Sequence, residues 1–102
     1  MRAYRKIFSL EKLPEGGKVQ VEVDGMEIGL FRVNGTVYAI DNICSHARAP
    51  LSDGELDGYE IACPLHGARF DIRTGEAKTA PAYEPVACYD VKVEGDDIYI
   101  AL

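Results

Sequence analysis

The stretch KVQVEVDGMEIGLFRVNGTVYAI, residues 18–40, decides the architecture. Its first six residues, Lys18 to Val23, alternate polar and apolar without a break. That is the mark of a strand with one face buried. Asp24-Gly25 follows, and Met26 to Val33 reads as the next strand. Asn34-Gly35 repeats the signal, and residues 36–40 return from it. Asp-Gly and Asn-Gly pairs favour two-residue hairpin turns, because such turns need positive φ at both central residues. Three strands joined by two tight turns make an antiparallel meander.

Reading outward, residues 3–9 form a first strand, and residues 9–13 a brief helical turn stopped by Pro14 and Gly16-Gly17. Downstream of the meander the periodicity breaks over residues 41–56. Residues 59–62 and 67–71 are short strands, with a turn at Thr74-Gly75 and an extended segment around residues 80–85. Residues 86–93 and 98–101 alternate again, with 94–97 turning between them. The expected fold is all-β, an antiparallel sandwich or small barrel. It forms a single domain over residues 1–102, whose β base is residues 1–40 and 82–102. A loop-rich insert covers about residues 41–81, and loops on a rigid β scaffold are where a site is expected.

The chain has 102 residues, 47% of them hydrophobic and 27% charged, an ordinary balance for a globular chain. A domain this small buries a modest core, so a bound metal centre would add useful stability. The net charge of −6 argues against nucleic acid or an anionic membrane as partner, since both require a basic face. It favours docking on basic protein surfaces. No stretch approaches the roughly 18 apolar residues of a membrane-spanning helix. No apolar signal region follows the charged N-terminus, because Glu11 and Lys12 arrive too soon, so a cytoplasmic location is expected. Three cysteines is an odd count that suggests no disulfide framework.

The soft ligands are concentrated in the insert. Both histidines and two of the three cysteines fall in Cys44-Ser45-His46 and Cys63-Pro64-Leu65-His66. Two Cys and two His suit zinc or a mixed-ligand iron–sulfur centre. Structural zinc fingers usually pair like with like, two cysteines and then two histidines. Here each loop offers one ligand of each kind, which suits an elongated dinuclear cluster gripped from two sides.

The flanks sharpen this. Cys44-x-His46, then Cys63-Pro64-x-His66-Gly67-x-x-Phe70-Asp71, then Thr74-Gly75 resembles the double motif of the Rieske [2Fe–2S] family. The resemblance covers nearly the whole chain. It is nearest to the small Rieske ferredoxins of bacterial ring-hydroxylating dioxygenases. It implies one [2Fe–2S] cluster per chain, with Cys44 and Cys63 on the buried iron and His46 and His66 on the iron nearer solvent. It also implies that Gly67 admits backbone N–H groups to the cluster, that Pro81 belongs to a covering loop, and that Pro64 and Leu65 shield it. Cys88 has no ligand partner and reads as a small core or strand residue. Arg48 and Arg69 read as surface residues beside the loops, and Asp96-Asp97 as a turn without a catalytic role.

High-potential members of the family carry an extra Cys in each loop, joined as a disulfide, and a Ser and a Tyr that donate hydrogen bonds toward the cluster sulfurs. The corresponding positions here read Ala49, Leu65, Ala68 and Phe70. Hydrogen bonds to the sulfurs stabilise the added negative charge of the reduced state. Without two of them, the potential is expected near the negative end of the family range, at about −150 mV.

Catalysis would need further groups. A mononuclear iron site typically takes two His and a carboxylate, but both histidines are already used. No glycine-rich turn opens a helix for a flavin or nicotinamide. What remains is a one-electron carrier, not an enzyme. The resemblance implies a flavin-dependent reductase as donor and a terminal oxygenase as acceptor. The alternatives are a small subunit of an NAD(P)H nitrite reductase and a structural zinc module.

Overall fold

The computed structural model describes residues 3–45, 49–65, 67–80 and 84–101. The meander is present as β2 (Lys18–Val23), β3 (Met26–Val33) and β4 (Thr36–Asp41), in continuous antiparallel register. Both turns have the dihedrals their sequence requires. Asp24 and Gly25 lie at φ 51° and 81°, and Asn34 and Gly35 at 54° and 78°.

The first strand, β1 (Tyr4–Ser9), runs into a single 3₁₀ turn at Leu10–Lys12. A second 3₁₀ turn, Leu51–Asp53, lies in the insert. There a small three-stranded sheet is built from β5 (Leu56–Asp57), β6 (Glu60–Ala62) and β7 (Arg69–Asp71). The chain closes with β8 (Cys88–Tyr89), β9 (Val91–Glu94) and β10 (Asp97–Ala101). Three antiparallel sheets result, ordered β1-β10-β9, β2-β3-β4-β8 and β5-β6-β7.

One expectation is corrected here. Residues 86–93 are not one strand. Cys88 and Tyr89 pair with Ile40 and Ala39 of β4, while Val91 to Glu94 pair with β10. The chain crosses from one sheet to another at Asp90, whose carbonyl accepts the Ala101 N–H at 3.0 Å. Tyr89 is pinned at the crossing by donating to Asp41 Oδ1 at 2.6 Å. Cys88 is a strand residue as expected, but its thiol is exposed and not in the core.

β3 and β4 form a wall between two cores. Successive strand residues point to opposite faces. Ile28 and Leu30 of β3, with Val37 and Ala39 of β4, join Leu13, Ile98 and Ile100 in a framework core. Phe31 and Ile40 face the other way, into a core that contains Cys44, Ala49, Cys63, Ala68 and Phe70. Burying each large aliphatic or aromatic side chain contributes about 1.5–3 kcal/mol. The framework core thus holds the wall rigid, and the insert is packed onto its far face.

Candidate metal centre

The two cysteine loops are built alike. The first leaves β4 through Asn42 and is closed by an isolated antiparallel bridge between Ile43 and Pro50. The second is the tip of the β6–β7 hairpin, whose last pair is Ala62 and Arg69. In each, the cysteine is the first residue beyond the closing pair. Its backbone N–H donates to the carbonyl five residues on, Cys44 to Ala49 at 3.0 Å and Cys63 to Ala68 at 2.7 Å. Both alanines are buried, in the same core as the cysteines.

The loops bring the two thiols together and away from water. Cys44 is 4% exposed and Cys63 2%, and neither forms a disulfide. Burial pushes the Cys63 thiol up, and the adjoining Cys44 thiol adds to this, while the Leu65 backbone N–H opposes it by donating to the sulfur. Two buried thiols on two backbone-closed loops are a fitting donor set for a thiophilic centre. Thiolate is the metal-binding form, and a bound cation deprotonates a coordinating thiol outright. The site therefore suits metal ligation from this end. His46 and His66 lie outside the described residues, as do Arg48 and Pro81.

The loop tips face solvent. Ser45 is exposed and donates to the Glu84 carbonyl at 2.7 Å. Pro64 is exposed and Leu65 is 48% exposed. Gly67 adopts φ 71°, a left-handed conformation that glycine takes without strain, with open space where a Cβ would stand. A cleft of about 370 Å³ opens beside Cys63, with the exposed carboxylates of Asp53 and Glu55 on its rim. Arg69 is neutralised locally, 3.3 Å from Asp57 and 3.5 Å from Glu60. Asp96 and Asp97 are surface partners of Ser9 and Lys6.

Beneath the loops lie two groups to which the sequence reading gave no role, although one of them, Asp71, stands in the motif it quoted. Asp71, at the end of β7, accepts from the Arg73 backbone N–H at 2.8 Å and from its guanidinium at 3.0 and 2.9 Å. The Arg73 guanidinium holds the Asp71 carboxyl below its ordinary value against the opposing effect of burial. The guanidinium also sits 4.3 Å from the centre of the Tyr59 ring. The second group is Asn42, fully buried two residues before Cys44. Its side chain donates to Gln20 Oε1 at 2.6 Å and Ser52 Oγ at 2.8 Å, and accepts the Ser52 N–H at 2.8 Å. One signal pointed to it: Gly29 stands alone inside the strand Met26–Val33, and an isolated strand glycine often marks a close approach. A Cβ at Gly29 would lie 2.5 Å from Asn42 Oδ1.

Comparison with known proteins identifies a family. The Rieske [2Fe-2S] domain model matches residues 4–90. The ferredoxin component of the naphthalene 1,2-dioxygenase system of Pseudomonas aeruginosa is 47% identical over 94 residues, 92% of this chain and 90% of that protein. Among solved structures, the ferredoxin of carbazole 1,9a-dioxygenase from Nocardioides aromaticivorans IC177 superposes with a TM-score of 0.92 at 41% identity, covering 96% of both chains. A chain from the complex of reduced oxygenase and oxidized ferredoxin in carbazole 1,9a-dioxygenase superposes with a TM-score of 0.90 at 31% identity, covering 96% of this chain and 92% of that one.

Proposed function

This chain belongs to the Rieske [2Fe-2S] domain family, and from that membership we propose that it is the one-electron ferredoxin of a ring-hydroxylating dioxygenase system. It receives electrons from a flavin-dependent reductase and delivers them to a terminal oxygenase. Its location is the cytoplasm, and none of its described helices is long and apolar enough to cross a membrane. The whole chain works as one unit, with residues 41–81 binding the cluster on a base made of residues 1–40 and 82–102. The observation that carries the reading is the pair of buried thiols on matched loops, in a chain similar over nine-tenths of its length to a dioxygenase ferredoxin.

On this reading Cys44 and Cys63 would hold one iron, and His46 and His66 the other. A [2Fe–2S] cluster held there would supply one-electron redox chemistry. The protein's part is to set the environment of that step. The core around Cys44 and Cys63 excludes water from the thiolate end. The Leu65 N–H stays aimed at the Cys63 sulfur. Ala68 and Phe70, both buried in the same core, supply no hydroxyl donor, which keeps the potential low for the family. Electrons leave through the loop tips, where Leu65 is exposed and Asp53, Glu55 and Glu84 carry surface negative charge. That charge speeds docking on a basic partner face and makes the rate fall with salt.

The test is spectroscopic and then kinetic. The purified protein is expected to be red-brown, to bleach with dithionite, and to mediate electron flow from a flavin reductase to a dioxygenase. A colourless protein holding one zinc per chain would sink the reading. So would a cluster-bearing protein that purifies only as a fixed subunit of a haem enzyme.

A further inference from the structure

Asn42 is placed as a spacer between the two ligand loops. It is held to the wall on one side, because its N–H donates to the Glu27 carbonyl of β3 at 2.9 Å and its amide to Gln20 of β2. On the other side it grips the 3₁₀ turn Leu51–Asp53. Its carbonyl accepts the Leu51 N–H at 2.6 Å, and its side chain donates to the Ser52 hydroxyl and accepts the Ser52 N–H. That turn in turn abuts the second loop. The Gly54 N–H closes it onto the Leu51 carbonyl at 2.9 Å, and Gly54 lies so close to Ala62 that a Cβ would come within 2.9 Å of the Ala62 carbonyl carbon. Ala62 immediately precedes Cys63, and its N–H donates to the Glu55 carbonyl at 2.9 Å. A continuous polar path therefore runs from Asn42, two residues before Cys44, through residues 51–55 to the root of Cys63.

We propose that Asn42 is a positioning residue that fixes the separation of Cys44 and Cys63, and so tunes the cluster they hold. The argument rests on the reading of those two cysteines as ligands. A fully buried amide with every polar atom satisfied is a stiff element, since breaking any one bond strands its partner without water. Apolar packing alone is non-directional and does not by itself select one register between the two loops. Cluster electronics respond to such shifts through ligand orientation and hydrogen bonding.

The experiment compares four variants of the full chain by EPR of the dithionite-reduced protein, iron release to EDTA, and far-UV circular dichroism. Asn42→Ala is expected to shift the g-values and to release iron on the order of tenfold faster, with the β-sheet spectrum retained. Asn42→Asp keeps an acceptor for Ser52, whose neighbour Gln20 can turn its amide to donate, and is expected to restore the native g-values. Ile98→Val trims the framework core away from the loops and is expected to lower thermal stability with g-values unchanged. If Asn42→Ala holds no cluster, Ser52→Ala removes a single hydroxyl from the same path and is expected to speed iron release about threefold. Native g-values and native iron release in both Asn42→Ala and Ser52→Ala would overturn the proposal. Absence of a [2Fe–2S] signal from the wild-type chain would instead overturn the ligand reading beneath it.

Discussion

Gly54 offers the sharpest test of how the second ligand loop is held. Its backbone lies at φ −85°, ψ −169°, an extended conformation that alanine adopts freely. Any cost of Gly54→Ala is therefore steric. The added Cβ would overlap the Ala62 carbonyl oxygen and stand 2.9 Å from its carbon. Carbon–carbon contacts are most favourable at about 3.5–4.0 Å, so relieving the carbon alone takes about 0.6–1.1 Å, and the tighter overlap with the oxygen makes the strand end retreat further than that. What it meets is backbone, tied by the Ala62 N–H bond to Glu55 and leading directly into Cys63. Overpacking of this kind costs about 1–3 kcal/mol, and the unyielding neighbour places Gly54→Ala at the upper end. At about 4–8 °C per kcal/mol for a domain near this size, Tm should fall by about 10–20 °C. Gly25→Ala is the control. It has nothing within 4 Å but sits at φ 81°, so it loses only the dihedral preference, about 1 kcal/mol. Scanning calorimetry of the holoprotein, with iron content measured alongside, reads both. A Tm for Gly54→Ala equal to or above that of Gly25→Ala, with full iron, would refute the claim that residues 51–54 brace the second loop.

Two further predictions follow from the same core. Ala68→Ser with Phe70→Tyr is expected to raise the midpoint potential. An added hydroxyl bond that strengthens by about 1 kcal/mol on reduction is worth about 40 mV for one electron, so the pair should give about 80 mV; protein-film voltammetry with no rise would remove hydrogen bonding as the cause of a low potential. Asp71→Asn is expected to lower Tm at neutral pH. Because the Arg73 guanidinium holds the Asp71 carboxyl below its ordinary value of 3.8, the native ion pair's contribution is complete above that value and is lost as pH falls through the lowered one. The Tm gap between Asp71→Asn and wild type should therefore be constant above about pH 5 and close below it; a gap that stays the same down to pH 2 would show that the charge is not what matters.

The parts of the fold that could be read from sequence are those fixed by local chemistry. Asp24-Gly25 and Asn34-Gly35 announce their turns because few residues tolerate positive φ, and the alternation of Lys18 to Val23 announces its buried face. The misread run, residues 86–93, keeps its alternation while changing sheets at Asp90, and alternation carries no record of which strand is the partner. The two-residue strand Leu56–Asp57 is too short to show any period. Cys88 reads as apolar, yet it lies on a two-residue strand whose outward face nothing covers closely enough to bury it. In the site, Cys44 and Cys63 are legible by ligand chemistry. Asn42 is not, because a buried asparagine ending a strand looks like any turn asparagine until Gly29 and Ser52 are seen around it.

The two cores differ in where they place small residues and not in a lack of large ones. Leu13, Ile28, Leu30, Ile98 and Ile100 fill the framework core, and Phe31, Ile40, Leu51, Ile61, Phe70 and Ile72 fill the cysteine core. The cysteine core also places alanine at the two carbonyls that close the cysteine loops, Ala49 and Ala68, each in the interior. A larger side chain at either position would have to displace the thiol-bearing backbone that its own carbonyl holds, since cores this dense yield little. A hydroxyl there would need an acceptor, and the sulfurs would supply one at the expense of a low potential. Small and apolar is thus the choice that keeps both loops closed while leaving the thiolates few donors. By this argument the same two alanines serve the geometry of the site and its redox setting together, while asparagine and glycine beneath them do the spacing that packing alone cannot.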